Sequence, residues 1–420
     1  MTSDTAPPSR ERPLWHRLAG FTVLPAIAAI SPLLVLPIVA RVAGPAGWSS
    51  AISGETIGTF AAIAVGYGWT TIGPALVATA RSDATRGTLY RQALVVRLAM
   101  ALLALPVMTV VIWFVATPGF ELLAVLMGAQ GALIAMSFMW FSVGLGRPSA
   151  IAFYDAIPRL LVTAVTAAAI VATGFLELYP LGGIAVTLIG TGLYTRRVLR
   201  RYPGAWPRWK DAAHLARSGL PVTLNDAALG TYSAVPTPVV TVTYPGVPAA
   251  GFASADKLMK LGQFVPLTLA NALQSWTAEV SGPPRARRIR VALIAHASIG
   301  LLGWAVFTAL GPPVSGLLFG AEATAPLGVV AVLGFAFAVY SVRTSMTRHL
   351  LFPEGAARAV MAATLAGTAV GIPAMIALTI LLGPFGAAVG YATTELMSTV
   401  LMVRRSAYAL RVIELRGEIA

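Results

Sequence analysis

Apolar stretches of roughly 18–28 residues alternate with short polar breaks along the chain from Gly20 onward, about twelve times in all. A helix needs roughly 20 residues to cross the ~30 Å hydrocarbon core of a bilayer, so each stretch is long enough to span a membrane. Lipid offers no partner for a free backbone N–H or C=O, which selects helix for nearly the whole chain. The pattern therefore predicts an all-α polytopic membrane protein. Its expected spans are 18–40, 50–80, 93–116, 120–145, 156–175, 180–199, 218–243, 250–278, 290–311, 325–348, 358–382 and 384–403.

The two halves of the chain resemble each other at a fixed offset of 204 residues. This offset predicts two six-helix lobes in the same orientation, a parallel-repeat plan known from transporters, with a substrate path between the lobes. The matching pairs are Pro180-Leu-Gly182 with Pro384-Phe-Gly386, Arg200-Arg201 with Arg404-Arg405, Pro32 with Pro236, and Gly47-Trp48 with Gly251-Phe252. The expected segments are an amino-terminal segment 1–17, lobes 18–199 and 218–403, a basic linker 200–217 and a tail 404–420.

Composition supports a membrane protein and excludes a soluble enzyme. The chain has 57% apolar and 11% charged residues, whereas soluble domains carry about 25% charged residues. The net charge of +14 is typical of nucleic-acid binding in a soluble protein, but here the arginines lie between apolar spans. No nucleic-acid partner is therefore expected. With no cysteine in the sequence, disulfides, thiolate metal sites and cysteine catalysis are excluded.

Basic residues fall almost entirely in alternate connections. One set of connections holds the arginine clusters near 81–91, 196–217, 285–290 and 404–416, while the opposite set contains only Arg41. By the positive-inside rule both chain ends are cytoplasmic and the number of spans is even. Topology and contact with anionic lipid suffice as an explanation for most of these arginines.

Charged residues inside the expected spans are the candidates for function, because an ionised side chain at mid-bilayer costs on the order of 2.5–3.5 kcal/mol. Asp256, Lys257 and Lys260 occupy neighbouring faces of the eighth span. They can form an internal Asp–Lys pair that neutralises the helix. Alternatively, because one Asp cannot neutralise two lysines, the remaining cation can face a cavity and bind a diphosphate or an acidic sugar.

Other candidates lie in both halves. Arg41 is either a substrate-binding cation or an arginine that reaches to the membrane interface. Glu55 and Asp226 can bind a coupling proton or sodium ion, or can form structural hydrogen bonds. Four arginines toward the predicted cytoplasmic ends of spans can form an entrance for lipid phosphate or anchor the topology: Arg97, Arg159, Arg343 and Arg348.

Several segments resemble the polysaccharide-lipid (O-antigen and repeat-unit) flippases of the multidrug, oligosaccharidyl-lipid and polysaccharide exporter superfamily. These segments are Leu36-Pro-Ile-Val-Ala-Arg41-Val-Ala-Gly44-Pro45-Ala-Gly47-Trp48, Gly66-Tyr67-Gly68-Trp69, Trp140-Phe141-Ser-Val-Gly144-Leu-Gly146, Arg159, Gly251-Phe-Ala-Ser-Ala-Asp256-Lys257-Leu258 and Gly386-Ala-Ala-Val-Gly390. The resemblance implies a V-shaped exporter of about twelve helices in a bacterial cytoplasmic membrane. It also implies transport of an undecaprenyl-diphosphate-linked oligosaccharide by alternating access, with membrane lipids and polysaccharide-assembly proteins as partners.

Three other functions stay open from the sequence. An ion-coupled multidrug or cation antiporter of the same superfamily is the main one, and an excess of carboxylates in the path would favour it. A membrane-embedded sugar polymerase or ligase is disfavoured because the predicted external connections are only a few residues long. The third function, a polytopic scaffold for glycosyltransferases, would not explain the charged residues inside the membrane. We expect no enzyme activity, no metal and no cofactor beyond a coupling proton or sodium ion.

Overall fold

The computed structural model describes residues 31–208, 220, 223–224, 226–227 and 230–415. The predicted amino-terminal segment 1–17, most of the first expected span, and residues 209–217 of the linker lie outside the described residues. The described part of the chain contains helices and no strand. The prediction of an all-α protein is therefore confirmed for these residues.

Eight α-helices form the described first half of the chain. They are α1 (Leu36–Gly66), α2 (Trp69–Thr79), α3 (Asp83–Val115), α4 (Glu121–Leu133), α5 (Met139–Gly144), α6 (Pro148–Ile151), α7 (Ile157–Thr173) and α8 (Leu178–Arg201). Helix α1 is kinked at Gly44 (φ 65°, ψ −175°), directly before Pro45. The kink separates the end of the first expected span from the start of the second.

Six further α-helices belong to the second half. They are α9 (Pro236–Thr243), α10 (Val247–Gly262), α11 (Phe264–Ala278), α12 (Gly282–Phe319), α13 (Leu327–Ser345) and α14 (Ala357–Leu415). Single π-helical turns follow α6 and α13, at Ala152–Ala156 and Met346–Leu351. Such turns shift the register of the residues that follow and are frequent at functional sites.

Eight helical segments of the described chain are long and apolar enough to cross a membrane. They are Leu36–Thr79, Asp83–Val115, Glu121–Gly144, Pro148–Thr173, Leu178–Arg201, Gly282–Phe319, Leu327–Leu351 and Ala357–Leu415. A multi-pass membrane protein follows from them. The first of these segments is interrupted at Tyr67-Gly68, and the last contains a non-helical residue at Gly383.

Helix α14 is two antiparallel helices joined at Gly383 (φ 62°, ψ −145°). A side chain at Gly371 would contact Thr394, and one at Gly390 would contact Met375, so residues before and after the bend pair in opposite order. Small residues let membrane helices approach closely in this way. The sequence indicates the bend, because Gly383-Pro384 separates the eleventh and twelfth expected spans.

The start of the predicted linker and the start of the predicted tail contact helices of the two halves. Arg91 of α3 donates to the carbonyl oxygen of Tyr202 (3.0 Å), so the first residues of the expected linker are bound to the first half. The predicted tail continues α14 as a helix to Leu415, and its residues Ala409 and Ile413 pack against Ala286 and Ile289. Residues 416–420 lie outside the described part.

Gly390→Leu should destabilise the α14 hairpin. A Cβ at this position would lie 2.3 Å from the Met375 Cα, and overpacking of this kind costs about 1–3 kcal/mol. Gly192→Leu is the matched control, because a Cβ there meets nothing within 4 Å. Thermal unfolding in detergent, followed by tryptophan fluorescence, should show a lower midpoint for Gly390→Leu alone. Equal midpoints would contradict the packing of the hairpin.

Candidate functional site

A polar and aromatic seam joins the two halves of the chain. The Trp48 indole stacks on Phe319, with ring centroids 4.7 Å apart, and its Nε1 donates to the Ser254 hydroxyl (2.9 Å). The hydroxyls of Ser53 and Thr241 share a hydrogen bond of 2.8 Å. All of these side chains except that of Thr241, which is 2% exposed, have at most 1% of their surface exposed. The two halves therefore contact each other here through buried side chains.

The seam lies at the arginine-poor end of the spans. Its residues follow the kink at Gly44 or adjoin the connections near 244–250 and 311–324, which the sequence places opposite the arginine clusters. Arg41 is also at this end, where its guanidinium donates to the carbonyl oxygen of Leu317 in the other half. The one basic residue of these connections thus binds across the seam.

An ion pair between Glu55 and Lys257 crosses the seam. The Lys257 Nζ lies 2.6 Å from one carboxylate oxygen of Glu55 and 2.8 Å from the other. Both side chains are partly buried, with 28% of Glu55 and 13% of Lys257 exposed. In surroundings of low dielectric constant such a pair is stronger than at a protein surface.

The second lysine of α10 pairs within its own half. The Lys260 Nζ donates to Asp256 Oδ2 (2.7 Å) and to the Ser233 carbonyl oxygen (3.0 Å). The Thr237 hydroxyl donates to the same Asp256 oxygen (2.9 Å). The uncompensated lysine expected in the eighth span therefore does not arise, because Glu55 supplies a second carboxylate from the other half.

A cavity of about 250 Å³ lies between the first half and Asp226. The Thr71 hydroxyl donates to Asp226 Oδ2 (2.9 Å), which again joins the two halves. Most of the lining is apolar or aromatic. The lining residues are Ala62, Ile63, Thr70, Ile134, Ala135, Ser137, Met139, Trp140 and Asp226.

Two of the four arginines that the sequence places toward the predicted cytoplasmic ends of spans lie in the first half. Arg97 is 3% exposed and donates to the carbonyl oxygen of Ser137 (2.8 Å), a residue that lines the cavity. Arg159 donates to Asp155 Oδ1 (2.6 Å) and to the Thr187 hydroxyl (3.0 Å). The π-helical turn before α7 contains Asp155. Arg159 is thus fixed inside its own lobe.

The other two arginines lie in the second half. Arg343 Nη2 donates to the Tyr232 hydroxyl (2.7 Å), and Arg343 Nε lies 2.9 Å from Glu395 Oε2. The Tyr232 hydroxyl donates to the other Glu395 oxygen (2.8 Å). Glu395 is fully buried. Arg348 is partly buried and donates to the Asn271 side chain (3.1 Å).

Sequence reasoning missed Glu395 and a buried histidine pair. Glu395 is a single carboxylate within an apolar span, and only the fold shows its partner. His296 and His349 lie with ring centroids 5.8 Å apart, and neither Nε2 has a partner in the described part of the chain. The described residues contain no group of three or more metal-ligating side chains.

Several solved membrane transporters have this fold. An inward-facing multidrug resistance MATE family transporter of the MOP superfamily has a TM-score of 0.65 and 16% identity, covering 96% of this chain and 98% of its own. The lipid II flippase MurJ in an inward closed conformation has a TM-score of 0.68 and 12% identity, covering 97% and 89%. A eukaryotic MATE transporter has a TM-score of 0.54 and 13% identity, covering 96% and 98%. These proteins are transporters or flippases, and at these identities the likeness shows the fold alone.

The comparison by sequence gives no family. No family model matches the chain, and no curated protein matches it. The residue contacts described above therefore carry the functional argument, within a fold that drug transporters and a lipid flippase share.

Arg343→Met should lower the free energy of unfolding by about 3–5 kcal/mol, because it leaves the Glu395 carboxylate buried and unpaired. Arg343→Met/Glu395→Leu should recover most of that loss, since apolar residues replace both charges. Denaturant unfolding in detergent measures both variants. A double variant as unstable as the single one would contradict a simple ion pair.

Proposed function

We propose that this chain is an alternating-access exporter with twelve spans in two six-helix lobes, related to the MOP superfamily. Its proposed substrate is an undecaprenyl-diphosphate-linked oligosaccharide, which it moves from the inner to the outer leaflet of a bacterial cytoplasmic membrane. The fold shared with MATE transporters and the lipid II flippase supports the class of protein. Lys257 and Lys260, two cations close to each other on α10 whose carboxylate partners a diphosphate can replace, support the anionic substrate.

The cross-half pair of Glu55 and Lys257 is the observation that carries this proposal. Lys257 is held at the boundary between the lobes by a single carboxylate of the opposite half. A diphosphate that reaches Lys257 competes with Glu55 for the same ammonium group, because phosphate oxygens form equally strong charge-assisted hydrogen bonds. Binding of the substrate would thus remove one contact that closes the seam.

Lys260 gives the substrate a second cation near the first. It lies three residues after Lys257 and hence on a neighbouring face of α10. Its partner Asp256 also accepts from Thr237, so Asp256 keeps a hydrogen bond when Lys260 turns to the substrate. In this proposal Arg41 stays at the seam, and Arg97 beside the cavity contributes a further positive charge.

In this proposal, the position of the seam indicates on which side of the membrane the substrate enters. With the arginine-rich face in the cytoplasm, the halves are closed toward the outside and the substrate enters from the cytoplasmic side. Arg159, Arg343 and Arg348 then lie toward that side in the predicted topology. The contacts of these three arginines lie within one half, as expected for residues that anchor the membrane topology. Arg97, in contrast, adjoins the proposed substrate path.

A proton or a sodium ion is the proposed coupling ion, and Glu55 and Asp226 are its proposed ligands. A proton on Glu55 would remove the negative charge that holds Lys257. Proton binding would therefore weaken the same ion pair that must break when the seam opens. Asp226 is bound by Thr71 of the other half, so a cation at Asp226 would act on a second contact between the halves.

Export of an organic cation is the second candidate function. The cavity at Asp226 favours it, because a carboxylate among apolar and aromatic side chains such as Trp140 suits a cationic drug. Asp226→Asn would abolish transport of a cation such as ethidium in this case. Binding of the lipid-linked saccharide in detergent, which needs no ion gradient, would be unchanged in the same variant if Lys257 and Lys260 bind the substrate.

Lys257→Ala or Lys260→Ala should reduce export about tenfold or more, since a hydrogen bond to a charged group contributes roughly 1.5–3 kcal/mol. Insertion should be intact, because removing a charge makes the helix easier to insert by up to ~3 kcal/mol. The Lys→Arg variants should keep part of the activity. The assay follows undecaprenyl diphosphate carrying a short fluorescent oligosaccharide in liposomes that contain the purified chain.

A control variant distinguishes two roles of the lysines, binding of the substrate and neutralisation of the neighbouring carboxylates. Glu55→Gln/Lys257→Gln removes both members of the cross-half pair and leaves no unpaired charge. If that variant still exports normally when Lys260→Gln is added, α10 does not bind the diphosphate and the proposal fails.

Ser53→Cys/Thr241→Cys should form a disulfide that stops export, because the two hydroxyl oxygens are 2.8 Å apart across the seam. The chain has no other cysteine, so the bond can form only at this place. Reductant should restore export, and each single cysteine variant serves as a control. A cross-linked protein that transports at the full rate would show that the seam does not open.

A further inference from the structure

A second cavity lies away from the seam, at the arginine-rich end of the first half. It has a volume of about 460 Å³, and three arginines and one aspartate line it. These are Arg86, Arg147, Arg201 and Asp83, with Tyr202 at the start of the linker completing the wall. Three separate connections of the first half thus meet around one space.

The charges in this cavity do not cancel. Arg86 donates to Asp83 Oδ1 (3.1 Å), which uses the only carboxylate of the lining. Within the described part of the chain, the guanidinium groups of Arg147 and Arg201 have no hydrogen bond and no ion pair. Both arginines are exposed at the cavity. Two positive charges therefore line the cavity without a carboxylate partner in the described part of the chain, since Asp83 pairs with Arg86.

The cavity adjoins the ends of three segments that are long and apolar enough to cross a membrane. Helix α2 ends at Thr79, α5 ends at Gly144 and α8 ends at Arg201, and all three ends adjoin the cavity. The ends of membrane-spanning helices lie at the interface, where basic residues attract anionic lipids. A guanidinium also binds a phosphate through two parallel hydrogen bonds.

We propose that this cavity binds a phosphate group, and that its source is the headgroup of an anionic phospholipid. Arg147 and Arg201 bind the phosphate oxygens, while the Asp83 carboxylate holds Arg86 in place at the rim. The bound lipid bridges the α2–α3 connection, the α5–α6 connection and the first residues of the linker. This site is separate from the transport path, so it stands or falls independently of the proposed substrate.

The test uses the full chain in a neutral detergent and native mass spectrometry. Phosphatidylglycerol is titrated, and diacylglycerol with the same acyl chains serves as the ligand that lacks phosphate. Arg147→Gln/Arg201→Gln should raise the Kd for phosphatidylglycerol about 10- to 25-fold, because each basic residue near the membrane surface contributes about a fivefold gain in lipid affinity. Diacylglycerol should bind weakly to both proteins.

Arg404→Gln/Arg405→Gln is the matched control. It removes two arginines at the equivalent end of the second half, at the positions 204 residues after Arg200 and Arg201, and neither lines the cavity. Its Kd should stay within about twofold of that of the unmodified chain, since the charges at the cavity are kept. Equal losses of affinity in the two double variants would overturn the site.

Two further arms complete the design. Ala78→Trp fills the cavity without altering its charges, and it should weaken phosphatidylglycerol binding even if the arginine variant folds poorly. Unchanged binding in a folded Ala78→Trp variant would overturn the site. Millimolar inorganic phosphate that displaces the lipid would assign the site to soluble phosphates. Failure of phosphate to displace it would support the lipid headgroup.

Discussion

An ionised side chain in hydrocarbon has no water to stabilise it, and the cost makes a partner necessary. The described spans follow this constraint closely. Lys257, Lys260, Arg159 and Arg343 each lie within ion-pair distance of a carboxylate. The role of each ion pair depends on whether both partners belong to the same half. Three of the four pairs join residues of one half and stabilise that half as a unit.

The pair of Lys257 and Glu55 differs because it joins the halves. Because this pair crosses the seam, opening the seam separates a carboxylate from an ammonium, and the stability of the closed seam therefore depends on charge. In the proposed cycle, an anionic substrate or a proton acts on this charge directly. Trp48, Ser254 and Phe319 are buried in the same seam, and surroundings of low dielectric constant strengthen a partly buried ion pair relative to one at a protein surface.

The sequence predicted the helical class and the break at Gly383-Pro384, because both follow from local chemistry, whereas the interruptions of the second span at Tyr67-Gly68 and of the eighth at Gln263 were not predicted. The Gly383-Pro384 step marks a bend in apolar sequence, and the structure has that bend. The boundaries of the longest helix were predicted less well. The last expected span ends at 403, whereas α14 continues to Leu415, because its final turns bury Ala409 and Ile413 against α12.

The sequence could not predict ion pairs between residues that lie far apart in the chain. Glu55 and Lys257 are separated by 202 residues, and no spacing rule connects them. The likeness between the halves does not help, since the 204-residue offset places Ser53 opposite Lys257 and Glu55 opposite Met259. Glu395 was missed for the same reason. Asp155 and Arg159, in contrast, have the i,i+4 spacing of a helical ion pair, and that signal was available.

Alternating motion of the two halves is the central claim, and double electron–electron resonance measures it directly. Spin labels at Val42 and Val247 report on the arginine-poor end, and labels at Leu76 and Gln274 report on the opposite end; all four positions are exposed. Adding undecaprenyl-diphosphate oligosaccharide should lengthen the first distance and shorten the second. Two distances that stay unchanged, or that move in the same direction, would contradict exchange between inward-open and outward-open states.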